Sequence, residues 1–477
     1  MNILLIQPGR SPFVGLQHLG LTEPLGLEMI GGALADHRVL ILDLRLEPAA
    51  LASTIAGFRP QMVGISSSFT VGAQQTLVTA MAVKAIDPKV FVVVGGHHPS
   101  LRPSDFAHPA IDAIVVGEGE VTVRELVDCL VAKSDTKKVA GLVLNSEGRQ
   151  YHTGHRPLLS SLDTLPFPSR DLTRSYRLQY YLTLTRPIAS LETTRGCPYR
   201  CSFCSVWRFY EGQVRSKSPE RVVAELRAVE EPHVLFTDDN FLANASRALH
   251  LARLIRKEGI RKKYDIQARS DTIVRHPEVI SEWRQVGLSG VFIGFEKPDQ
   301  VGLETINKHN SPENNEQALA ILRGHGIEPT ASFIVDPDYT REDFAALRDY
   351  VRRLKLKVPD FAVLTPLPGT ELFEEMKQRL ATMRYELFDL AHAVVPTRLP
   401  LPEFYRELAG LWRAAYPRWK LDILGAYMWV RDLWQQYPGS PHWKRVLEEA
   451  RRLGNPQAYM QDWITVAQSS TAATGCR

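Results

Sequence analysis

Cys197, Cys201 and Cys204 stand within eight residues at a C-x3-C-x2-C spacing, in the run Glu192-Thr-Thr-Arg-Gly-Cys197-Pro-Tyr-Arg-Cys201-Ser-Phe-Cys204. Cysteine thiolates hold iron–sulfur clusters, and three thiolates on a four-iron cube leave one iron without a protein ligand. Such an open position can take a substrate or cofactor, as the open position of a catalytic zinc does. Gly196 allows the tight backbone that three converging sulfurs require, and Phe203 sits just before the last ligand. The plain alternatives are a zinc knuckle or three unrelated buried cysteines. Zinc usually takes four ligands in C-x2-C-type pairs, and the nearest other cysteine, Cys129, is far away in sequence. A disulfide is disfavoured for thiols packed this closely in a chain with no secretory signal. The spacing favours a cluster.

Other chemistry-bearing residues fall at the ends of short apolar runs. In the second half of the chain these are Thr237-Asp238-Asp239-Asn240, Arg269-Ser270, Glu296 and the Leu367-Pro-Gly369 turn. In the first half they are Ser66-Ser67-Ser68, Gly95-Gly96-His97-His98-Pro99 and Gly117-Glu118-Gly119-Glu120. Any one of them alone reads as a helix N-cap, a strand–helix turn or a surface ion pair. Asp238 and Asp239 are the more specific pair, since one exposed N-cap does not need both carboxylates. Glycine in the earlier loops permits close backbone approach, and the hydroxyls supply hydrogen bonds.

The elements that must position these residues are legible from periodicity. Residues 1–140 alternate short, wholly apolar runs (3–6, 39–42, 62–65, 90–94, 113–116) with helical patterns at about 25–35, 48–57, 70–86 and 120–132. That alternation predicts an α/β, doubly wound Rossmann-like domain, with ligands beyond the carboxyl ends of its strands. Residues 141–187 carry turn signals at Asn145-Ser-Glu-Gly148 and prolines at Leu165-Pro-Phe-Pro168, and read as a linker. From 188 to 380 six strand–helix units recur, with strands near 188–193, 233–236, 264–267, 290–294, 329–334 and 360–364. Six units predict a partial (β/α)6 barrel whose strand ends carry the site. Residues 381–477 form a helical C-terminal domain that holds six of the eight tryptophans (Trp412, Trp419, Trp429, Trp434, Trp443 and Trp463). Tryptophans interleaved with basic residues there suit either an interfacial or lipid-covering surface or a buried cap. The small, polar tail carries Cys476, which is not expected to be a ligand.

Composition narrows the class. The 477 residues, 44% hydrophobic and 23% charged, describe a globular protein of several domains. A net charge of +4 with interleaved signs gives no reason to expect nucleic acid as a partner. Five cysteines, three of them in one motif, indicate a reducing, cytoplasmic setting. No signal peptide is read at the amino terminus, and no run reaches the roughly 18 apolar residues of a membrane span.

The cysteine run, C-x3-C-aromatic-C after a strand, resembles the signature of the radical S-adenosylmethionine (SAM) family. The resemblance implies a [4Fe–4S] cluster on Cys197, Cys201 and Cys204, with SAM chelating the open iron and cleaved to a 5′-deoxyadenosyl radical. It places Phe203, Asp238, Asp239, Asn240, Arg269, Ser270 and Glu296 around SAM. The three loops upstream, with Pro24-Leu-Gly-Leu27, resemble the cobalamin-binding domain of the B12-dependent radical SAM class. That implies cobalamin contacts at Ser66, Ser67, Ser68, Gly95, Gly96, His97, Gly117, Glu118 and Glu120. Many such domains carry D-x-H-x-x-G, whose histidine lies under the cobalt; here the matching segment is Asp43-Leu-Arg45-Leu-Glu-Pro48, with arginine in that place. Lower-face histidine ligation is therefore not expected, and His97 and His98 are read as loop residues near the corrin. Cys204-Ser-Val-Trp-Arg-Phe-Tyr210 and Phe236-Thr-Asp-Asp-Asn-Phe241 resemble the hopanoid C-3 methylases of the class. The implied reaction is methyl transfer from methylcobalamin to an unactivated sp3 carbon of a hopanoid lipid, with no acid–base catalytic residue at that carbon. The implied partners are an electron donor such as flavodoxin or ferredoxin and the inner membrane face, met peripherally. A radical enzyme of the same class acting on another small metabolite is the second reading. A methylthiotransferase acting on RNA would need a second cysteine trio where only Cys129 stands, and a cobalamin carrier would not need the cluster motif.

Overall fold

A computed structural model describes the chain except residues 147, 436–440 and 475–477, and gives the backbone alone for 433–435 and 469–474. Cys476 and the side chain of Trp434 therefore lie outside the described residues.

The first sheet has five parallel strands in the order Arg38–Asp43, Asn2–Gln7, Met62–Ser66, Phe91–Gly95, Ala113–Val115. Their residues are almost wholly apolar because helices cover both faces, leaving no solvent side to take polar residues. The chain order is 2-1-3-4-5, so the switch point lies between Asn2–Gln7 and Met62–Ser66. The expected strands and helices of this half are present, the helices as Leu25–Ala33, Leu51–Phe58, Ala73–Ile86 and Gly119–Ala132. The stretch 141–187 carries structure of its own. Leu142–Ser146 and Arg149–His152 form an antiparallel hairpin that extends the sheet beyond Ala113–Val115.

The second sheet is parallel throughout and runs in chain order: Ala189–Leu191, His233–Phe236, Lys263–Ala268, Leu288–Glu296, Thr330–Val335, Val358–Val363. Its first and last strands do not pair, so it is an open six-stranded partial barrel. The helices between strands start at side-chain caps: Ser218, Asn244 and Ser311 each accept a backbone N–H of the first turn, and Thr340 with Asp343 makes a capping box. Trp283, fully buried, stands edge-on to Phe236, Phe241 and Tyr264 and anchors the second unit to the third. Helices Leu401–Ala415, Arg418–Gln435, His442–Leu453 and Pro456–Thr474 follow. No helix among the described residues is long and apolar enough to cross a membrane.

Candidate active site

The first barrel strand ends at Leu191, and the cysteine loop that follows is closed at its base by a short antiparallel ladder, Thr194–Arg195 against Arg215–Ser216. Gly196 has φ +93°, and a Cβ there would lie 2.1 Å from the Gln213 carbonyl oxygen, so only glycine fits. Cys201 is buried, Cys197 and Cys204 are half-buried, and all three are free thiols. Burial pushes all three thiols up, Cys204 to about 12, outweighing the charges of Arg269 and Lys308 near Cys201 and the backbone N–H groups facing Cys197 and Cys204. The loop is held from behind. Ser202 N–H donates to the Ile306 carbonyl (3.2 Å), and Leu372 N–H, just past the Leu367-Pro-Gly369 turn, donates to the Ser202 carbonyl (3.1 Å). Phe203 packs against Ile306, Ile334, Leu364 and Leu372. Three thiols with no structural use of their own are the donor set that a site-open four-iron cube requires.

Around this loop the strand-end residues divide. Asp238 is fully buried and turned to this ladder, accepting from Thr193 N–H (2.6 Å) and Thr193 Oγ1–H (2.5 Å). Burial raises its carboxyl despite these bonds. Asp239 accepts from Gly196 N–H (3.3 Å), and burial lifts it to about 6. Asn240 is 1% exposed, yet neither its amide nitrogen nor its oxygen has a partner. A buried, unsatisfied amide is costly in a protein that folds only for its own sake. Arg269 lies 3.6 Å over the Tyr199 ring of the cysteine loop and donates to the Lys308 and His309 carbonyls (both 2.8 Å). Ser270 bonds Asn310 and Asn315 (both 2.6 Å), and Glu296, at φ +62°, pairs with Lys308 (2.5 Å). Asp239 and Asn240 thus retain free polar capacity at the cysteine loop. Arg269, Ser270 and Glu296 bind the 308–315 segment together.

The carboxyl ends of the first sheet meet the same mouth. A cavity of about 410 Å³ opens at the switch point, lined by Gln7, Arg45, Ser66, Ser67 and Ser68. A second, of about 350 Å³, runs from Gly95, Gly96 and Gly117 to Glu192, Tyr210 and Thr237 of the barrel. Ser66 and Ser68 share a hydroxyl contact (3.3 Å), while the buried Ser67 hydroxyl has no partner. Gly96 has φ +124°, and a Cβ there would fall 2.7 Å from the Ser67 carbonyl oxygen. An orphaned hydroxyl and a backbone cradle closed to side chains suit a large flat ligand lying on these loops. Gly117 N–H donates to Ser100 Oγ (2.9 Å).

Three residues placed on these loops by sequence are engaged with protein partners, Glu118 and Glu120 while also lining the second cavity. Glu118 takes Arg215 (2.9 Å) and Arg195 (2.6 Å), and Glu120 takes Arg195 (2.5 Å). Burial alone would raise Glu118, but bonds from Arg215 and the charge of Arg195 outweigh it and hold its carboxyl low. His97 bonds Ser205 (2.7 Å), the residue after Cys204, and stacks on Phe209 at 4.6 Å. Burial, with His98 beside it, lowers its pKa to about 4, so it is neutral. His98 is buried between Thr70 (3.1 Å) and Asp105 (3.3 Å). Arg45 forks onto Asp43 (2.8 and 2.6 Å) and donates to the Thr22 carbonyl (2.9 Å).

Two buried cations were not picked out by sequence. Arg195, 5% exposed, joins Glu118 and Glu120 of the first domain to Glu192 of the barrel (2.9 Å). Arg170 joins Glu23 (2.7 Å) to Glu225 (3.0 Å) and the Ser190 carbonyl (2.8 Å). The Glu192/Arg195 spacing inside the cysteine run was a usable signal for the first; no local signal marks Arg170.

Comparison with known proteins agrees with this geometry. The family profile described as B12 binding domain matches residues 13–127, and that of the Radical SAM superfamily matches 191–351. The chain is 34% identical over 457 residues to the hopanoid C-3 methylase of Methylococcus capsulatus, covering 91% of this chain and 87% of that one. It is 32% identical to an uncharacterised methyltransferase of Pyrococcus horikoshii, covering 87% and 92%. The solved structure of the cobalamin-dependent S-adenosylmethionine radical enzyme OxsB, with aqua-cobalamin and S-adenosylmethionine bound, superposes with a TM-score of 0.69 at 15% identity, covering all of this chain and 81% of that one.

Proposed function

Because the chain belongs to the cobalamin-dependent radical SAM methyltransferase family, we propose that it methylates an unactivated sp3 carbon, C-3 of a hopanoid lipid taken from a membrane surface. The family's [4Fe–4S] cluster, SAM and cobalamin, when bound, supply one-electron hydrogen removal and a transferable methyl group. The protein's own part is to hold and exclude. Cys197, Cys201 and Cys204 hold the cluster through thiolates. Asp239 and the unsatisfied amide of Asn240 meet the polar groups of SAM, with Arg269, Ser270 and Glu296 fixing the wall behind. Ser66, Ser67, Ser68, Gly95 and Gly96 form the cobalamin cradle, and Arg45, not a histidine, lies at its lower side. Flavodoxin or ferredoxin is the proposed electron donor.

One observation carries the lipid reading. The tryptophans of the carboxyl-terminal region split. Trp412 and Trp443 are buried, and Trp463 is half-buried with its Nε1–H on Tyr405 (2.9 Å). On helix Arg418–Gln435, Trp419 is 65% exposed, Ile423 64% and Tyr427 63%, with Val430 at 48%. Spacings of four, four and three place them on one helix face, with Trp429 (56%) beside it. So large an exposed apolar stripe marks an interaction surface. Exposed Arg418 stands at its start, as suits anionic head groups, whereas Arg413, Lys420 and Arg431 are engaged with backbone carbonyls. Each aromatic inserted would contribute about 1.5–3 kcal/mol.

The test is anaerobic turnover of the cluster-reconstituted enzyme with SAM, methylcobalamin and hopanoid in anionic liposomes, read by mass spectrometry. Trp419→Ala and Trp429→Ala are expected to weaken liposome pelleting and raise the apparent KM, leaving uncoupled SAM cleavage intact. Folded variants that methylate hopanoids at full efficiency would refute the docking face. A wild-type enzyme that ignores hopanoids and methylates a polar metabolite would refute the substrate.

A further inference from the structure

Below the switch-point cavity lies a smaller one, of about 240 Å³, that the reaction above does not use. Its wall comes from three segments distant in sequence: Arg10 and His18 of the loop after the first strand, Tyr181, and Arg445, Glu449 and Arg452 of helix His442–Leu453. It shares Arg10 and Arg45 with the cavity above, so the two are continuous.

The charges do not balance. Arg45 is paired with Asp43, and Arg452 with Glu449 (3.0 Å). Arg10 is half-buried and donates to the Gly20 carbonyl, but among the described residues it has no carboxylate within ion-pair distance. Burial chiefly, and Arg45 beside it, hold its pKa below the usual arginine value, and the more distant Asp43, already forked onto Arg45, does not offset them. Arg445 adds an exposed cation to the wall, with Glu448 one turn further along the same helix. Burial keeps His18 below its ordinary pKa, so it brings no charge near neutral pH. A second observation points the same way. Tyr181 is 2% exposed, lines the cavity beside Arg10, and among the described residues its O–H finds no acceptor. A half-buried guanidinium with no ion pair of its own beside a buried phenol without an acceptor lacks one group: an anion with several acceptor oxygens.

We propose that this cavity binds a phosphate-type oxyanion, held by Arg10 and the Tyr181 hydroxyl with Arg445 in its wall. Two sources carry that chemistry. One is the phosphodiester of the nucleotide arm of cobalamin, which rests on the cobalamin reading and is favoured by the continuity of the two cavities. The other is free phosphate. Either would tie helix His442–Leu453 to the corrinoid domain.

The experiment uses the cluster-reconstituted, corrinoid-free full-length chain. Its melting temperature is measured in phosphate and in chloride at matched ionic strength. Cobalamin and cobinamide, which lacks the nucleotide and its phosphate, are then titrated by absorbance. Phosphate is expected to raise the melting temperature saturably, and Arg10→Met and Tyr181→Phe to abolish or halve that rise. Tyr181→Phe removes a hydroxyl that has no acceptor and leaves the ring in place, so it tests the site without unfolding it. If the corrinoid is the source, Arg10→Met lowers cobalamin affinity on the order of tenfold and leaves cobinamide unchanged. If free phosphate is the source, both corrinoids bind the variants as they bind wild type while the phosphate effect is still lost. The site is overturned if phosphate gives no rise over chloride and neither substitution separates cobalamin from cobinamide. If neither corrinoid binds wild type, the cobalamin reading fails, and the phosphate comparison still decides the cavity.

Discussion

Arg195→Met offers the sharpest test of how the two domains are joined. Arg195 is 5% exposed and carries Glu118 and Glu120 from one side and Glu192 from the other. Glu118 would keep Arg215, but Glu120 has no other ion pair among the described residues. Removing one partner of a buried pair leaves an uncompensated charge and costs about 3–5 kcal/mol, although the pair itself contributes little net stability. At about 2–4 °C per kcal/mol for a domain of this size, the melting temperature should fall by roughly 6–20 °C. Replacing Glu120 as well should undo part of the loss, so Arg195→Met/Glu120→Gln should melt above Arg195→Met alone. The pH dependence has a definite sign. Burial already raises the Glu192 carboxyl above its ordinary value, with Arg195 opposing that rise. Without Arg195 it rises further. A carboxyl whose folded pKa lies above its unfolded value costs stability as pH rises from the unfolded to the folded pKa, and costs nothing below both. The deficit of the variant should therefore be smaller at pH 5.5 than at pH 8. Scanning fluorimetry of the three proteins at both values reads all of this. A single variant that melts with wild type, or a double variant that melts lower than the single, would refute the buried-charge argument.

Three further outcomes are expected. Replacing Cys197, Cys201 and Cys204 together by Ala should abolish iron uptake and SAM cleavage; a triple variant retaining about four irons per chain, the content of one cube, would sink the cluster assignment. Electron paramagnetic resonance of the cob(II)alamin form should show no protein nitrogen splitting, since Arg45 holds the expected histidine's place and His97 is turned to Ser205; splitting lost in His97→Ala would show otherwise. His97, neutral because burial depresses it to about 4, contributes stability that is present above about 6.5 and is lost as pH falls toward 4; His97→Gln should flatten that part of the stability–pH curve, and an unchanged curve would contradict the burial.

What was legible in the sequence follows from which interactions are local. Strands buried on both faces are continuous apolar runs, so Met62–Ser66 and His233–Phe236 stood out. The edge hairpin did not. Leu142–Ser146 turns polar midway and Arg149–His152 is polar throughout, because it pairs on one side only and faces solvent. The cysteine loop was legible because its three donors must lie close together in the chain. The loops Ser66–Ser68 and Gly95–Gly96 were legible as strand ends, but the ion-pair partners of Glu118 and Glu120 were not. Their partner lies 77 and 75 positions away, and no local pattern tells a carboxylate which of two nearby attractions it will meet. Asp238 is the same case: its carboxylate closes on Thr193, 45 positions back, and only Asp239 and Asn240 keep polar capacity at the mouth. Arg170 was invisible because charged residues are ordinarily solvated, and only the meeting of Glu23 and Glu225 makes its burial affordable.

These hidden contacts share a location. Parallel sheets place their ligands beyond the carboxyl ends of their strands, and here two such ends face one another. A methyl donor on one sheet and a radical generator on the other must reach the same carbon, and a misplacement of about 1 Å can cost a hundredfold in rate. An ordinary interdomain contact, polar and hydrated, leaves relative motion as the default. This junction is built otherwise. Arg195 stands two residues before Cys197, and Ser205 one residue after Cys204. The first is held by Glu118 and Glu120, the second by His97. The cysteine loop is thus fastened at both ends to two loops of the corrinoid sheet, through groups that are buried and in His97 uncharged. The cost in desolvation is real and the gain in net stability small. What the arrangement provides is a fixed distance between two centres that no single domain contains.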